Sequence, residues 1–500
     1  MKGLLLFATI ILAKSEATTT GPTDAGYQYF LPEAGPFGGP TAEGDAPFLA
    51  VINPAPYGSR WGEPSREEVL GLQSRGNLSP YFPNPTGFGV EEYPLPLGAN
   101  ITEVHVLHRH GARFPPASDS VVTFGAETLV SLGRKELFES GMQHYYNYGH
   151  LFDRSSPKLV ARTTTQDRMF DSAENFLAGF FGLDWRKYAK LGAIIESPGY
   201  NNSLMSLYTC PNSQGSHALV GYNAMEAWKE VYLKERTSEL RKLVKGYNWT
   251  ISDTYDAQSL CAYETVALGF SEFCDLFTLA DWEGFNYGFD LGVPAILGFL
   301  SPTGRAAGIA WVEEFLARVQ HRPFDVTGTN ANMTLNSDPS TFPVNQTLYF
   351  DFTHDGDIIA VLTAFGLKQF AEPLPLNGPP PRHRQIITSH MVPFGARLDI
   401  EIIQTPRPVS PRRNVHGRNK DDYERTGSTT RYVHFMLNQR TIPLGWSLPE
   451  CGNRDDGWCE LNTFLDTQKE SLAQAQFNYA CNGNYSVLPY GAITNGAPIN

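Results

Sequence analysis

The chain has 500 residues, of which 41% are hydrophobic, with a formal net charge of −13 at pH 7 and a pI near 5.4. This apolar content is enough for a large core and excludes a mainly disordered chain. The acidic balance argues against a nucleic-acid-binding protein, which would carry a basic face, so no nucleic-acid partner is expected. The length suits one large enzyme with a subdomain, or two to four smaller domains.

Residues 1–17 have the composition of a secretory signal peptide. Lys2 supplies the charged start, residues 3–13 the apolar stretch, and Ser15 or Ala17 the small residue at a cleavage point. No later apolar run approaches the length of a membrane span, and residues 491–500 show no anchor or retention signal. The sequence therefore predicts a secreted protein, extracellular or in the cell wall, with no membrane partner.

Two further features agree with export. Six cysteines in an exported chain predict three disulfides, although fifteen connectivities are allowed and the spacing does not choose among them. There are also seven Asn-x-Ser/Thr sequons, each a candidate glycosylation site. They begin at Asn77, Asn100, Asn201, Asn248, Asn332, Asn345 and Asn484.

Residues 18–97 are rich in glycine, proline and small polar residues, which predicts an extended lead-in with one short helix near 64–72. Residues 101–107 are then mostly β-branched and aliphatic, as in a buried strand. This strand runs into Arg-His-Gly-Ala-Arg-Phe-Pro at residues 109–115. Ligands bind at the carboxyl ends of strands in α/β sheets, and Arg109 and Arg113 offer fork-shaped donors suited to phosphate.

Two alternatives remain open for this motif. A lone Arg-His-Gly is more often an ordinary surface turn. A metal site is the second alternative, because His108 and His110 alternate onto one face of the strand, but no third ligand is evident nearby.

Residues 157–168 resemble a strand, a threonine-rich loop and the start of a helix at 169–181. Arg162 lies at the end of that strand, where an arginine could clamp an anion, although spacing alone favours a surface salt bridge. Further along, residues 348–352 alternate as in a strand and lead into His354 and Asp355, followed by a helix at 358–366. The alternative for Asp355 is a plain helix N-cap.

The alternation of strands and helices predicts an α/β fold: a wound sheet with helices on both faces, formed by residues 98–181 and 323–490. Two further strands are expected at 395–403 and 430–438. Residues 182–322 are mostly helical and are predicted to form an inserted subdomain that leaves a cleft against the sheet. Three strand ends would bring the candidate site residues to that cleft.

The motif at 109–115 resembles the signature of the histidine acid phosphatases, in the secreted branch that includes the fungal phytases. The run at 261–277 is also similar to fungal members, and the resemblance extends from about residue 79 to residue 481. It implies a histidine phosphatase fold, similar to that of phosphoglycerate mutase, and a phosphoric monoester hydrolase. It also implies the disulfide pairs Cys210–Cys481, Cys261–Cys274 and Cys451–Cys459.

The resemblance assigns a role to each candidate residue. His110 would attack phosphorus and carry a phosphohistidine, while Asp355 would protonate the leaving oxygen and later act as a base. The phosphate would be bound by Arg109, Arg113, Arg162 and His354. No metal or other cofactor is expected, because the arginines neutralise the phosphate.

The expected substrates are phosphate monoesters, with phytate as a candidate. The alternatives are a dedicated phytase, a catalytically inactive secreted glycoprotein of the same fold, and a metal-dependent hydrolase. Residues 116–120 contain no lysine and include Asp119, which would repel a polyanion; this favours a broad acid phosphatase. A basic loop with Arg412, Arg413 and Arg418 would compensate only if it lay at the pocket mouth.

Overall fold

A computed structural model describes residues 66–116, 126–413 and 422–499. The predicted signal peptide, Asp119 and Arg418 lie outside these ranges. The short helix expected near 64–72 is α1 (Arg66–Leu72). It is followed by a 3-10 turn at Gly76–Leu78 that reaches the candidate site.

One eight-stranded sheet forms the centre of the described part of the chain, in the order β3-β2-β4-β1-β5-β6-β7, with β8 paired to β6. Strands β1 to β4 run parallel to one another, whereas β5 is antiparallel to β1 and to β6. The strands are β1 (Asn100–Arg109), β2 (Leu159–Thr164), β3 (Ala189–Ile194), β4 (Leu348–Thr353), β5 (Arg397–Thr405), β6 (Thr430–Leu437), β7 (Arg440–Thr441) and β8 (Cys459–Glu460).

Helices cover both faces of this sheet and form a separate block beside it. In chain order they are α2 (Ser131–Tyr148), α3 (Asp167–Phe181), α4 (Leu219–Tyr232), α5 (Lys234–Leu243), α6 (Ile251–Leu268), α7 (Leu279–Leu297), α8 (Gly304–Val319), α9 (Met333–Asn336), α10 (Asp355–Ala364), α11 (Thr388–Met391), α12 (Leu461–Thr467), α13 (Ser471–Ala475) and α14 (Phe477–Asn482).

Side-chain alternation along β1 separates the two cores. Val104 and Val106 pack on the face covered by α2 and α3, around the buried ring of Phe176. Leu107 points to the opposite face, into the core that contains Phe315 of α8. Because successive strand residues face opposite sides, one strand supplies both cores. The predicted α/β class, with helices on both faces of the sheet, is confirmed.

The bounds expected for the helical subdomain, 182–322, need correction. Strand β3 lies inside that range but pairs in parallel with β2, so it is part of the sheet. Helix α8 also lies inside it but packs against α10 in the core beneath the sheet. Both elements bury apolar side chains against strands, which hydropathy along the sequence does not reveal. Helices α4 to α7 pack on one another and form the helical block beside the sheet.

The structure contains all three predicted disulfides: Cys210–Cys481, Cys261–Cys274 and Cys451–Cys459. The first joins residues 271 positions apart and links the segment before α4 to α14. Among the described residues, no helix is both long and apolar enough to cross a membrane.

Candidate active site

The candidate site forms where two adjacent parallel strands end. Arg109 at the end of β1 is in register with Thr353 at the end of β4, and the amide of His110 donates to the carbonyl oxygen of Thr353 at 3.2 Å. His354 occupies the N-cap position of α10, which begins at Asp355. The two motifs, far apart in sequence, therefore meet at one edge of the sheet, where parallel strands commonly bind ligands.

The loop that follows His110 packs closely against the backbone of the first turn of α2. A Cβ on Gly111 would lie 2.3 Å from the carbonyl oxygen of Gly133, in the first turn of α2. A Cβ on Gly133 would lie 2.1 Å from the carbonyl oxygen of Ala112. Neither position has room for a side chain, so both glycines are needed for the loop to rest on the helix.

Hydrogen bonding fixes the tautomer of His110. Its Nδ1 lies 2.8 Å from the carbonyl oxygen of Gly111, which can only accept, so Nδ1 carries the proton. Nε2 therefore keeps its lone pair. The side chain is 2% exposed, and a neutral imidazole with a free lone pair is chemically able to act as a nucleophile.

Burial and surrounding cations keep this ring neutral. The pKa of His110 is lowered well below its usual value, first by burial and then by the positive charges of Arg109, Arg168, His354 and Arg113. Cations disfavour a second proton on the ring. The same cations would attract a phosphate dianion to the nucleophile.

Asp355 lies beside the signature arginine as a carboxylate. Its Oδ2 is 3.0 Å from a guanidinium nitrogen of Arg109, and its side chain is 28% exposed. Burial raises the pKa of Asp355, but Arg109, the amide of Asn77, His354 and the amide of Gly356 outweigh it and lower the pKa to about 2. Asp355 is therefore ionised in the free protein above about pH 3.

His354 faces His110 and has its own carboxylate partner. The ring centroids of His354 and His110 are 5.6 Å apart. Nε2 of His354 lies 3.1 Å from Oε2 of Glu196, whose side chain is fully buried. Glu196 follows β3 and also accepts from Thr164. This carboxylate orients the imidazole of His354 toward the site.

Arg162 is not brought together with these residues, which corrects its expected placement. Its Nε donates to Oδ1 of Asp351 at 2.7 Å, and one terminal nitrogen donates to Glu314 at 2.7 Å. Arg318 of α8 also binds Asp351 at 2.7 Å. These charges form a buried network between β2, β4 and α8. The carboxylates of Asp351 and Glu314 compensate the charge of Arg162 and hold its side chain in this network.

Arg168 occupies the position that was expected of Arg162. It lies in the first turn of α3, is 8% exposed, and is among the cations that lower the pKa of His110. Burial and then the positive charge of Arg113 lower the pKa of Arg168. One feature of the sequence marks Arg168 as unusual. A cation in the first turn of a helix is unfavourable next to the positive end of the helix dipole, which suggests a function other than stabilising the helix.

Sequence reasoning also missed Asn77, which it treated only as a glycosylation candidate. Its Nδ2 donates to Oδ2 of Asp355 at 2.6 Å, and its carbonyl oxygen accepts from Arg109 at 2.5 Å. The contact spans 278 positions in sequence, so no local pattern could have revealed it.

The remaining signature arginine borders the helical block. Arg113 donates to the carbonyl oxygen of Phe114 at 2.9 Å, and its guanidinium lies 5.7 Å from the ring centre of Tyr263 in α6. Across residues 66–116, 126–413 and 422–499 there is no cluster of three or more His, Cys, Asp or Glu side chains able to hold a metal ion.

Comparison with known proteins gives the family. The model of the histidine phosphatase superfamily, branch 2, matches residues 100–438, which span both strand-end motifs. The chain belongs to this superfamily. As a histidine phosphatase it is a phosphoric monoester hydrolase.

Several curated relatives of this histidine phosphatase come from fungi. Phytase A of Aspergillus fumigatus is 29% identical over 433 residues, covering 78% of this chain and 86% of the relative. Phytase A of Penicillium oxalicum is 30% identical over 436 residues, covering 78% and 87%. The acid phosphatase of Schizosaccharomyces pombe is 27% identical over 465 residues, covering 82% and 90%.

Solved structures share the fold. The crystal structure of the phytase from D. castellii superposes with a TM-score of 0.62 at 20% identity, covering 84% of this chain and 89% of that one. The multiple inositol polyphosphate phosphatase of Bifidobacterium longum, in complex with inositol hexasulfate, gives a TM-score of 0.52 at 13% identity, covering 74% and 92%.

Proposed function

We propose that this histidine phosphatase hydrolyses phosphate monoesters through a phosphohistidine on Nε2 of His110. The observation that carries the proposal is the tautomer of His110: Nδ1–H donates to the carbonyl oxygen of Gly111, and Nε2 is unprotonated among four cationic side chains. A basic nitrogen surrounded by cations is the arrangement that nucleophilic attack on a phosphate dianion requires.

In the first step, Nε2 of His110 attacks phosphorus and the bond from phosphorus to the ester oxygen breaks. Arg109, Arg113, Arg168 and His354 stabilise the charge on the equatorial phosphoryl oxygens. Asp355 donates a proton to the leaving oxygen, which departs as the alcohol. Arg168, rather than Arg162, is the arginine that we assign to the phosphate together with the two signature arginines.

The proton that Asp355 delivers has to arrive with the substrate. The pKa of about 2 leaves Asp355 ionised in the free enzyme at pH 3–6. A bound phosphate brings negative charge next to the carboxylate and neutralises part of the field of Arg109. Both changes raise the pKa of Asp355, so that it can hold the proton in the complex.

In the second step, water attacks phosphorus and the bond from phosphorus to Nε2 breaks. The carboxylate of Asp355 accepts a proton from that water. Inorganic phosphate leaves, and His110 returns to the neutral tautomer that its bond to Gly111 favours. No oxidant, reductant or other co-reactant is consumed.

A labelling experiment tests this mechanism. Wild-type enzyme, mixed with substrate carrying labelled phosphate and quenched into denaturant within milliseconds, should retain label on His110, and Asp355→Asn should retain more because water attack is slowed. His110→Ala should lose both label and turnover while keeping its circular dichroism spectrum. Label found on a serine or an aspartate instead would contradict the mechanism.

We assign broad specificity, with phytate as one substrate, because the described part of the basic loop is committed elsewhere. Arg412 pairs with Asp455 at 2.6 Å, and Arg413 lies within 3.6 Å of both Asp422 and Asp456. The two arginines lie on the loop between β5 and β6 and pair with carboxylates of that loop and of the segment before β8. Arg413, whose side chain is 1% exposed, therefore offers no free cation for a second phosphate group.

A dedicated phytase is the second candidate, because Phytase A proteins are prominent among the relatives. Initial rates with phytate and with an aryl phosphate distinguish the two candidates. Similar kcat/KM values support the broad phosphatase. A preference for phytate of about tenfold or more, equivalent to about 1.4 kcal/mol, supports the dedicated phytase.

Secretion is part of the same proposal. Three disulfides are typical of proteins that fold in an oxidising compartment, and residues 1–17 have the features of a signal peptide. Five predicted sequon asparagines are exposed and open to glycosylation, namely Asn100, Asn201, Asn248, Asn345 and Asn484, whereas Asn332 is half-buried. N-terminal sequencing of the protein from culture medium would test the cleavage.

A further inference from the structure

The Asn77-Leu78-Ser79 sequon lies against the catalytic carboxylate instead of on an open surface. Nδ2 of Asn77, the atom that would carry a glycan, donates to Oδ2 of Asp355 at 2.6 Å. Leu78 is 5% exposed and Ser79 is fully buried. The hydroxyl of Ser79 accepts from the amide of Arg75 at 3.0 Å, so the whole sequon is built into the fold.

Asn77 contacts both members of the ion pair between Asp355 and Arg109. Its amide donates to Asp355, and its backbone carbonyl accepts from Arg109, which is itself paired with Asp355 at 3.0 Å. The charged groups that face Asp355 are Arg109 from β1 and His354 at the start of α10. Asn77 is the neutral side-chain donor on the same carboxylate, presented by a third segment of the chain.

We propose that Asn77 is a positioning residue that sets the charge state of Asp355, and that its sequon carries no glycan in the active enzyme. This inference rests on the proposed role of Asp355 as proton donor. A sugar bonded to Nδ2 would crowd the oxygen that must reach the leaving group. A hydrogen bond to a carboxylate favours the ionised form, so Asn77 limits how readily Asp355 holds a proton.

The pH dependence of kcat, which reports the enzyme–substrate complex in which Asp355 holds its proton, distinguishes this role from a merely structural one. Without the donor, Asp355 holds its proton to a higher pH, so Asn77→Ala should move the basic limb of the profile upward by roughly 0.5–1 unit. Asn77→Asp should move it further in the same direction, because two carboxylates then share the site. Asn77→Gln, which keeps an amide, should lie closest to the wild type.

Ser79→Ala is the matched control, because it removes the sequon and leaves the amide of Asn77 in place. Its basic limb should coincide with that of the wild type. If loss of a glycan were the cause of the change, Ser79→Ala would shift the limb as Asn77→Ala does. That result would overturn the proposal.

A second measurement needs no variant. Glycopeptide mass spectrometry of active enzyme from a secreting fungal host should find Asn77 unoccupied while the exposed sequons carry glycans. A fully active fraction with glycan on Asn77, or an unmoved basic limb in both Asn77→Ala and Asn77→Asp, would overturn the inference. Retention of label on His110 in the same preparations would show that the proposed function stands independently of that failure.

Discussion

The guanidinium of Arg162 is bound by the carboxylate of Asp351 through two nitrogens, at 2.7 and 2.8 Å, deep between β2 and α8. Both side chains are at most 4% exposed. Arg318 and Glu314 complete the cluster, which contains two cations and two anions. The pairing lowers the pKa of Asp351 against the opposing effect of burial. This arrangement stabilises the sheet rather than the substrate.

Removing Arg162 should therefore destabilise the fold. Arg162→Ala leaves a buried carboxylate without its main partner, and breaking such a pair costs about 3–5 kcal/mol of unfolding free energy. Urea unfolding followed by tryptophan fluorescence measures the loss. The molecules that remain folded should retain most of the wild-type kcat, so a fully stable but inactive Arg162→Ala would contradict this assignment.

Arg168 should show the opposite behaviour. Its guanidinium acts on His110 and, among the described residues, forms one ion pair, at 3.0 Å with the partly exposed carboxylate of Glu127. Arg168→Ala should lower kcat/KM by about 10²–10³-fold, the loss typical of one donor that stabilises a transition state. The unfolding midpoint should change much less than in Arg162→Ala. Equal activity of Arg168→Ala and wild type would exclude Arg168 from the site.

Activity should be highest in acid, at about pH 3–6. The pKa of His110 is lowered well below 6.5, so the nucleophile stays neutral in this range and its protonation limits the rate only at lower pH. As pH rises, the proton shared by Asp355 and the substrate is lost, and activity falls. The profile of kcat between pH 2 and 9 tests this, because kcat reports groups in the enzyme–substrate complex, with aliquots returned to pH 5 to control for unfolding. A profile that rises into the alkaline range would contradict it.

The disulfides should differ in their effects on stability. Cys210–Cys481 closes a loop of 271 residues, whereas Cys451–Cys459 closes one of 8. Loop entropy assigns about 6 kcal/mol to the first and about 2–3 kcal/mol to the second as upper values. The double alanine variants at each pair, compared by urea unfolding, provide matched controls for each other. A larger loss at the short loop would show that loop entropy does not govern the difference.

Features whose residues are adjacent in the sequence, such as a motif that directly follows a strand, could be predicted from the sequence. The segment 109–115 and the pair His354-Asp355 follow directly from strands, so their meeting at one sheet edge needed only parallel pairing of β1 and β4. The choice between Arg162 and Arg168 could not be made, because they lie six positions apart in one strand–loop–helix segment. Only the position of Asp351 and Glu314 shows which guanidinium is already neutralised.

Asn77 illustrates a second limit. Its local sequence matches a glycosylation motif, and nothing within ten residues indicates a carboxylate partner. The contact depends on where the 3-10 turn at Gly76–Leu78 rests against the sheet edge, which is a property of tertiary packing. The helical block shows the same limit, since β3 and α8 have helix-like or mixed sequence surroundings but belong to the layers of the sheet.

The contact between Gly111 and Gly133 has a practical consequence for anyone who wishes to re-engineer this scaffold. Gly133 belongs to no recognisable motif, yet a methyl group there would strike the backbone of the nucleophile loop as hard as one on Gly111. A mutant library that protects only the signature would therefore lose members through position 133. The two positions are best withheld from randomisation as a single unit, and diversity is better placed on the exposed face of α2, where side chains have room to change.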